Sequence, residues 1–279
     1  MMNDRKIAEI RLDPEGFNEL RMCRTGPMLY NKYDIYMGGS LQKYGEFSIF
    51  EQEVFSQVVG PGSLVVEVGA NIGAHTVLLA RLAGPDGEVH AFEPQRIVFQ
   101  ALCANLALNQ CTNVFARQSA VGEHAGTISV PPLDPAVRTN FGGVSLQGVT
   151  FGESVPLVTL DSLDLPACQF LKVDVEGMEV EVLKGGEQLI ATHRPIMYLE
   201  NDRVERSEEL LGIVGRLNYD AYWHFPPVFN PDNYFGDAEN VFGNIASINI
   251  LCVPKESKMP VTGLRKVLSI QEKWNAVPG

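Results

Sequence analysis

Residues 65–76 read VVEVGANIGAHT: an apolar run carrying a carboxylate, a turn with Gly69 and Gly73, then the start of a second apolar segment. An apolar run of strand length that feeds a glycine turn and a helix is the opening of a βαβ unit. Such a turn presents backbone N–H groups near a helix N-terminus, where polar or negative ligand groups are stabilised. A dinucleotide site normally shows G-x-G-x-x-G with a pyrophosphate over the helix end, whereas this turn is E-x-G-x-x-x-G. Glu67 beside the turn would repel a pyrophosphate and receive an ammonium group.

The pattern continues outward from this unit. Short apolar runs alternate with helical stretches through IGAHTVLLARLAG, EVHAFEP, RIVFQALCANLALNQ and NVFARQSAVG, the signature of a parallel sheet with crossover helices. The run VHAFEP ends in Glu93, expected at the carboxyl edge of the second strand, where a carboxylate accepts hydrogen bonds from both hydroxyls of a ribose. A cationic amino acid joined to a nucleoside satisfies Glu67 and Glu93 together. S-adenosylmethionine is such a molecule.

VVEVGANIGAHT, VHAFEPQ, NLALNQ, FLKVDVEGMEVEVLKGG and RPIMYLEN together resemble the FkbM family of S-adenosylmethionine-dependent methyltransferases, over about residues 64–201. The resemblance implies a class I methyltransferase fold, α/β and Rossmann-like, with a seven-stranded, mostly parallel sheet and helices on both faces. It also implies methyl transfer to a hydroxyl oxygen of a small molecule, sugar or glycan. By position, Glu67, Gly69, Ala70, Asn71 and Gly73 would surround the methionine portion of the cofactor, Glu93 the ribose, and Ser119 and Ala120 the adenine edge.

FLKVDVEG puts Asp174 at the carboxyl end of a later strand, the edge where open α/β sheets bind ligands. Three roles stay open for it: general base toward an acceptor hydroxyl, partner of the cofactor ammonium, or ligand of a Mg2+ ion together with Asp202 in YLEND. Related macrolide-sugar methyltransferases use comparable acids for magnesium. The aromatic stretch YWHFPPVFNPDNYFGDAENVFGN, residues 222–244, reads as an ordered wall of the acceptor pocket, with His224 as a second candidate base beside Asp174. The other four histidines, His75 among them, read as structural or surface residues.

Domain organisation is expected as an N-terminal extension over 1–60 with short strands and a helix, a catalytic domain over 61–254 with an insertion at about 122–168, and a tail over 255–279. Of the 279 residues, 45% are hydrophobic and 20% charged, ordinary usage for a globular protein. A formal charge of -12 argues against nucleic acid and anionic membrane as partners. Five cysteines without a C-x-x-C pair argue against a disulfide framework or zinc ribbon. With no long apolar run and no signal-peptide pattern, a cytoplasmic protein without a membrane span is expected. A homo-oligomer is left open, as are two competing functions: a nicotinamide-dependent oxidoreductase, and a non-catalytic binding module on the same fold.

Overall fold

The structure is a computed structural model that describes residues 12–276. Its N-terminal part is an antiparallel hairpin of β1 (Asn18–Cys23) and β2 (Gly26–Asn31), followed by helices α1 (Met37–Tyr44) and α2 (Ile49–Val58). The wound region follows as β3 (Leu64–Val68), α3 (Thr76–Ala83), β4 (Glu88–Phe92), α4 (Arg96–Leu108) and β5 (Val114–Arg117). Then come three short strands, β6 (Ala120–Val121), β7 (Gly126–Val130) and β8 (Glu153–Val158), which make a small sheet of their own. The winding resumes with β9 (Phe170–Val173), α5 (Glu179–Lys184), α6 (Glu187–His193), β10 (Ile196–Glu200), α7 (Val204–Arg216), β11 (Tyr219–His224), β12 (Asn249–Pro254) and β13 (Arg265–Lys266).

The main sheet has the order β13-β11-β12-β10-β9-β3-β4-β5. The five strands β5, β4, β3, β9 and β10 run parallel, β12 runs antiparallel between β10 and β11, and the two-residue β13 adds an eighth strand at the edge. The last two long strands, β11 and β12, pair antiparallel near the sheet edge, and the later one, β12, is the inner strand, with all six of its residues buried. The segment between β9 and β10 forms two helices, α5 and α6, parted at Gly185–Gly186. A Cβ on Gly185 would come within 2.0 Å of the Gly122 carbonyl oxygen, so close backbone passage sets the break.

Alternation along the strands divides the core. Leu64, Val66 and Val68 of β3 join Leu171 and Val173 of β9 beneath α5–α7, while Val65 and Phe170 face α2 and α3 through Phe55 and Leu79. The same alternation puts Glu67 and Lys172 on the α2/α3 face. They are register partners, and Tyr198 of β10 is the next residue across.

Asn105 of α4, wholly buried, ties the N-terminal hairpin to the glycine turn. Its Oδ1 accepts the Leu29 N–H at 2.6 Å, and its Nδ2 donates to the carbonyls of Leu29 and Ile72 at 2.9 and 2.7 Å. Asn109 donates to the Pro27 carbonyl from one helical turn on. The two asparagines of NLALNQ thus serve docking.

Candidate active site

The turn after β3 is tied down by its neighbours. The N–H groups of Gly69 and Ala70 donate to the Phe92 carbonyl, that of Asn71 to Glu93, and that of Ile72 to the Asn71 side chain. Helix α3 starts only at Thr76. The turn's first N–H groups, Gly69 through Gly73, are therefore already used within the protein, which narrows the expectation that this turn offers backbone donors to a ligand. Gly69 sits at φ +83°, and a Cβ there would lie 1.8 Å from the Asp174 carbonyl oxygen. Gly73, at φ +87°, leaves room for Leu102 and lines neither of the two cavities described next.

Glu93 is buried at the end of β4. Its two oxygens each accept a backbone N–H, from Asn71 at 3.0 Å and Gln95 at 2.8 Å. Burial pushes its pKa up to about 7, against the pull of those N–H groups. The carboxylate lines two adjoining cavities. A narrow slot of about 50 Å³ is bounded by Glu93, Pro94, Ser119, Ala120, Leu146 and Met178, and the buried Ser119 hydroxyl has no hydrogen-bond partner. A wider cleft of about 440 Å³ is bounded by the glycine turn at Gly69, Ala70 and Asn71, by Lys172, Asp174, Glu176, Glu200, Asp202 and Arg203, and by Tyr36, Met37 and Asn140.

Glu67 lies beneath this cleft, 1% exposed. Thr76 donates to its Oε2 at 2.6 Å, and its Oε1 has no partner. Burial raises its pKa to about 7, although Lys172 opposes the shift. Lys172 is equally buried and donates to Asp174 Oδ2 at 3.0 Å. Burial alone would lower the lysine pKa, yet the carboxylates of Asp174, Glu67 and Glu51 hold it raised and the side chain charged.

At the outer end, one carboxylate oxygen each of Asp174, Glu176 and Glu200 lie within 4.8 Å of one another. Burial, then the charge of Asp174, raises the pKa of both Glu176 and Glu200. Asp202, expected to share a metal with Asp174, instead pairs with Arg203 at 3.1 Å, as does Glu176 at 2.6 Å. The carboxylates that Asp174 meets are Glu176 and Glu200.

His224 does not meet Asp174. Parity along β11 turns it with Tyr222 toward α2, where its Nδ1 lies 2.8 Å from the Tyr198 hydroxyl and its ring lines a separate groove with Phe50, Val54 and Met259. Burial lowers its pKa to about 4. The pairing of Asp174 and His224 in one reaction site is corrected accordingly. The long loop after β11 reaches the cleft through Val228 and Ile245–Ser247, and none of its aromatics lines it; Phe229 and Phe242 pack on Tyr44 of α1.

Three residues escape the sequence reading as site residues: Lys172 and His75, which line the cleft, and Glu51, which lies 3.7 Å from His75. A signal existed for one of them: LVVEV and FLKV each carry a charge in an otherwise apolar strand at the penultimate position, which in-register parallel pairing sets side by side.

The strand order, with an acid at the end of β4 and a glycine turn after β3, defines the class I methyltransferase architecture. The methyltransferase FkbM domain matches residues 67–225, and the chain belongs to that family. It is 37% identical over 183 residues to 31-O-demethyl-FK506 methyltransferase FkbM of Streptomyces tacrolimicus, covering 51% of this chain and 70% of that protein. It is 32% identical to methyltransferase sdnD of Sordaria araneosa, covering 44% of this chain and 60% of the relative. With hexuronic acid methyltransferase AglP of Haloferax volcanii it shares 32% identity, covering 43% of this chain and 48% of that protein. The chain thus spans less than two thirds of the length of two of these relatives. Among the described residues no helix is long and apolar enough to cross a membrane.

Proposed function

We propose that this protein binds S-adenosylmethionine and transfers its methyl group to a hydroxyl oxygen of a small-molecule, sugar or glycan acceptor. The observation that carries the reading is Glu93: a buried carboxylate, fixed by two backbone N–H groups at a strand end, on the wall shared by a narrow slot and a wide polar cleft. The residues fit the cofactor. Glu93 would accept the ribose hydroxyls, the unpartnered Ser119 hydroxyl and the Ala120 backbone would border the adenine, and the unpartnered Glu67 Oε1 would accept from the ammonium. The bound cofactor supplies an electrophilic methyl group on a sulfonium.

Asp174 stands at the cleft with one oxygen held by Lys172. Its other oxygen is the group we assign to accept the proton that the acceptor hydroxyl loses on methylation. Alignment in the cleft supplies the rest of the rate. Should the reaction use magnesium, Asp174, Glu176 and Glu200 would hold it, as oxygen ligands suited to a hard cation.

The name of one relative, 31-O-demethyl-FK506 methyltransferase, supports oxygen as the atom methylated, and that of another, hexuronic acid methyltransferase, supports a sugar-type acceptor. A nicotinamide-dependent oxidoreductase finds no support in the family match. The test is calorimetric titration with S-adenosylmethionine and with NADH, followed by detection of S-adenosylhomocysteine across hydroxylated macrolides, uronic acids and neutral sugars, with and without a chelator. Binding of NADH in place of S-adenosylmethionine overturns the reading, and chelation without effect removes the magnesium.

A further inference from the structure

The main sheet treats its two edges differently. At one end β13 is a two-residue strand, Arg265–Lys266, exposed and charged, with its side chains paired to Glu272 and Asp220. A short charged edge of this kind discourages a further strand. At the other end β5 has no such guard. It reads VFAR, without proline and with its one charge at the last position, and among the described residues only β4 pairs with it.

The ladder with β4 shows which groups of β5 stay open. Val89 and Glu93 donate to the carbonyls of Asn113 and Arg117 at 3.0 and 3.2 Å, so the odd-numbered residues turn their backbone groups toward β4. The N–H and C=O groups of Val114 and Ala116 therefore point outward. The side chains of Val114 and Ala116 pack into the core under α4, whereas Phe115 takes the opposite face, stacked on His90 yet 48% exposed. From the second residue of α4 to the third of β5, residues 97–116 hold no Asp, Glu, Lys, Arg or His, in a chain that is 20% charged and carries a net charge of -12. Gln100, Cys103, Ala107 and Leu108 of this segment are exposed as well.

A strongly charged partner would find nothing to pair with on this segment. A second copy of the chain fits it, since two molecules of like net charge meet with least repulsion where neither presents charge. Pairing across a two-fold axis also closes both open edges at once and leaves none for a third copy.

We propose that the protein forms a two-fold dimer by antiparallel pairing of β5 with β5 of a second copy, with Phe115 on the axis opposite its own counterpart. In that register Val114 of each copy pairs with Ala116 of the other, and their outward N–H and C=O groups are satisfied. The two Phe115 rings meet as a cross-strand aromatic pair, and the eight-stranded sheet of one copy continues into that of the other. None of residues 97–116 lines the slot or the cleft, so the dimer stands apart from the proposed chemistry.

Sedimentation equilibrium of the full chain over a range of concentrations is the test. The wild type is expected to dimerise, and Phe115→Lys, which sets two like charges against each other across the axis, to weaken the dimer by roughly tenfold or more while circular dichroism stays that of the wild type. A wild type that is monomeric at every concentration overturns the proposal and leaves the edge to a different partner. A Phe115→Lys dimer as tight as the wild type overturns it too. If that variant fails to fold, Phe115→Cys in a Cys103→Ser background takes its place. Mild oxidation is then expected to give a disulfide-linked dimer, because residues directly opposite on antiparallel strands hold their Cβ atoms about 4.5–5.5 Å apart, close to disulfide reach. Monomer alone after oxidation overturns the pairing.

Discussion

Glu93→Gln keeps the size of the side chain and removes one acceptor oxygen. In the wild type those oxygens take the N–H groups of Asn71 and Gln95 at 3.0 and 2.8 Å, at a side chain only 4% exposed. Glutamine can accept one of them, and its own amide N–H₂ then confronts the other. A buried N–H without an acceptor costs about 1–3 kcal/mol. For a chain of this size that lowers Tm by roughly 2–4 °C per kcal/mol. Ribose binding suffers separately, because a charge-assisted hydrogen bond contributes about 1.5–3 kcal/mol, or roughly ten- to hundredfold in Kd. Thermal melting and calorimetric titration with S-adenosylhomocysteine on one preparation read the two effects apart. An unchanged Tm refutes the structural hydrogen bonds. A lowered Tm with unchanged Kd leaves Glu93 as a brace for the turn and removes it from the ribose.

Gly69→Ala is expected to yield little soluble, folded protein, because the methyl group would meet the Asp174 carbonyl oxygen at 1.8 Å; a wild-type melting curve would refute this. Asn105→Ala loses three hydrogen bonds at a wholly buried site, a cost of roughly 2–4 kcal/mol in urea denaturation, and weakens S-adenosylhomocysteine because Ile72 in the turn is released. His224→Asn should retain full methyl transfer, since that ring faces Tyr198 and not the cleft; a loss of a hundredfold with normal cofactor affinity would restore it as a base. Glu67 and Glu93 have folded pKa values of about 7, above the ordinary 4.5, so the folded protein holds protons that the unfolded chain has lost. Their contribution to stability therefore falls as pH rises from about 4.5 through 7. Ligand ammonium and hydroxyl groups prefer the ionised carboxylates, so binding near pH 7 should release protons, and a binding enthalpy independent of buffer ionisation enthalpy would contradict this.

The parts of the site that sequence alone made legible are those carried by strand ends. Asp174 and Glu93 terminate apolar runs, and position along a strand fixes which edge of the sheet they reach. What escaped depends on which face a residue takes and on segments distant in sequence. YDAYWH alternates buried and half-buried residues, which puts His224 on the face of Tyr222 and away from the cleft. NILCVP is buried throughout, the mark of an interior strand, but its place between β10 and β11 depends on pairing with segments distant in sequence. Glu51 and His75 meet only because α2 packs over α3, and no local pattern encodes that contact.

The interior position of β12 also bears on how the chain is made. At about 5–20 residues per second, residues 225–248 take roughly one to five seconds to synthesise. Through that interval β10 is already on the ribosome with one open edge, and β11 has no strand to join, since its partners β12 and β13 both come later. An unpaired edge of apolar strand is an invitation to wrong pairing. Synonymous codons that slow decoding across 225–248 would lengthen this exposure and lower the yield of folded protein without changing one amino acid.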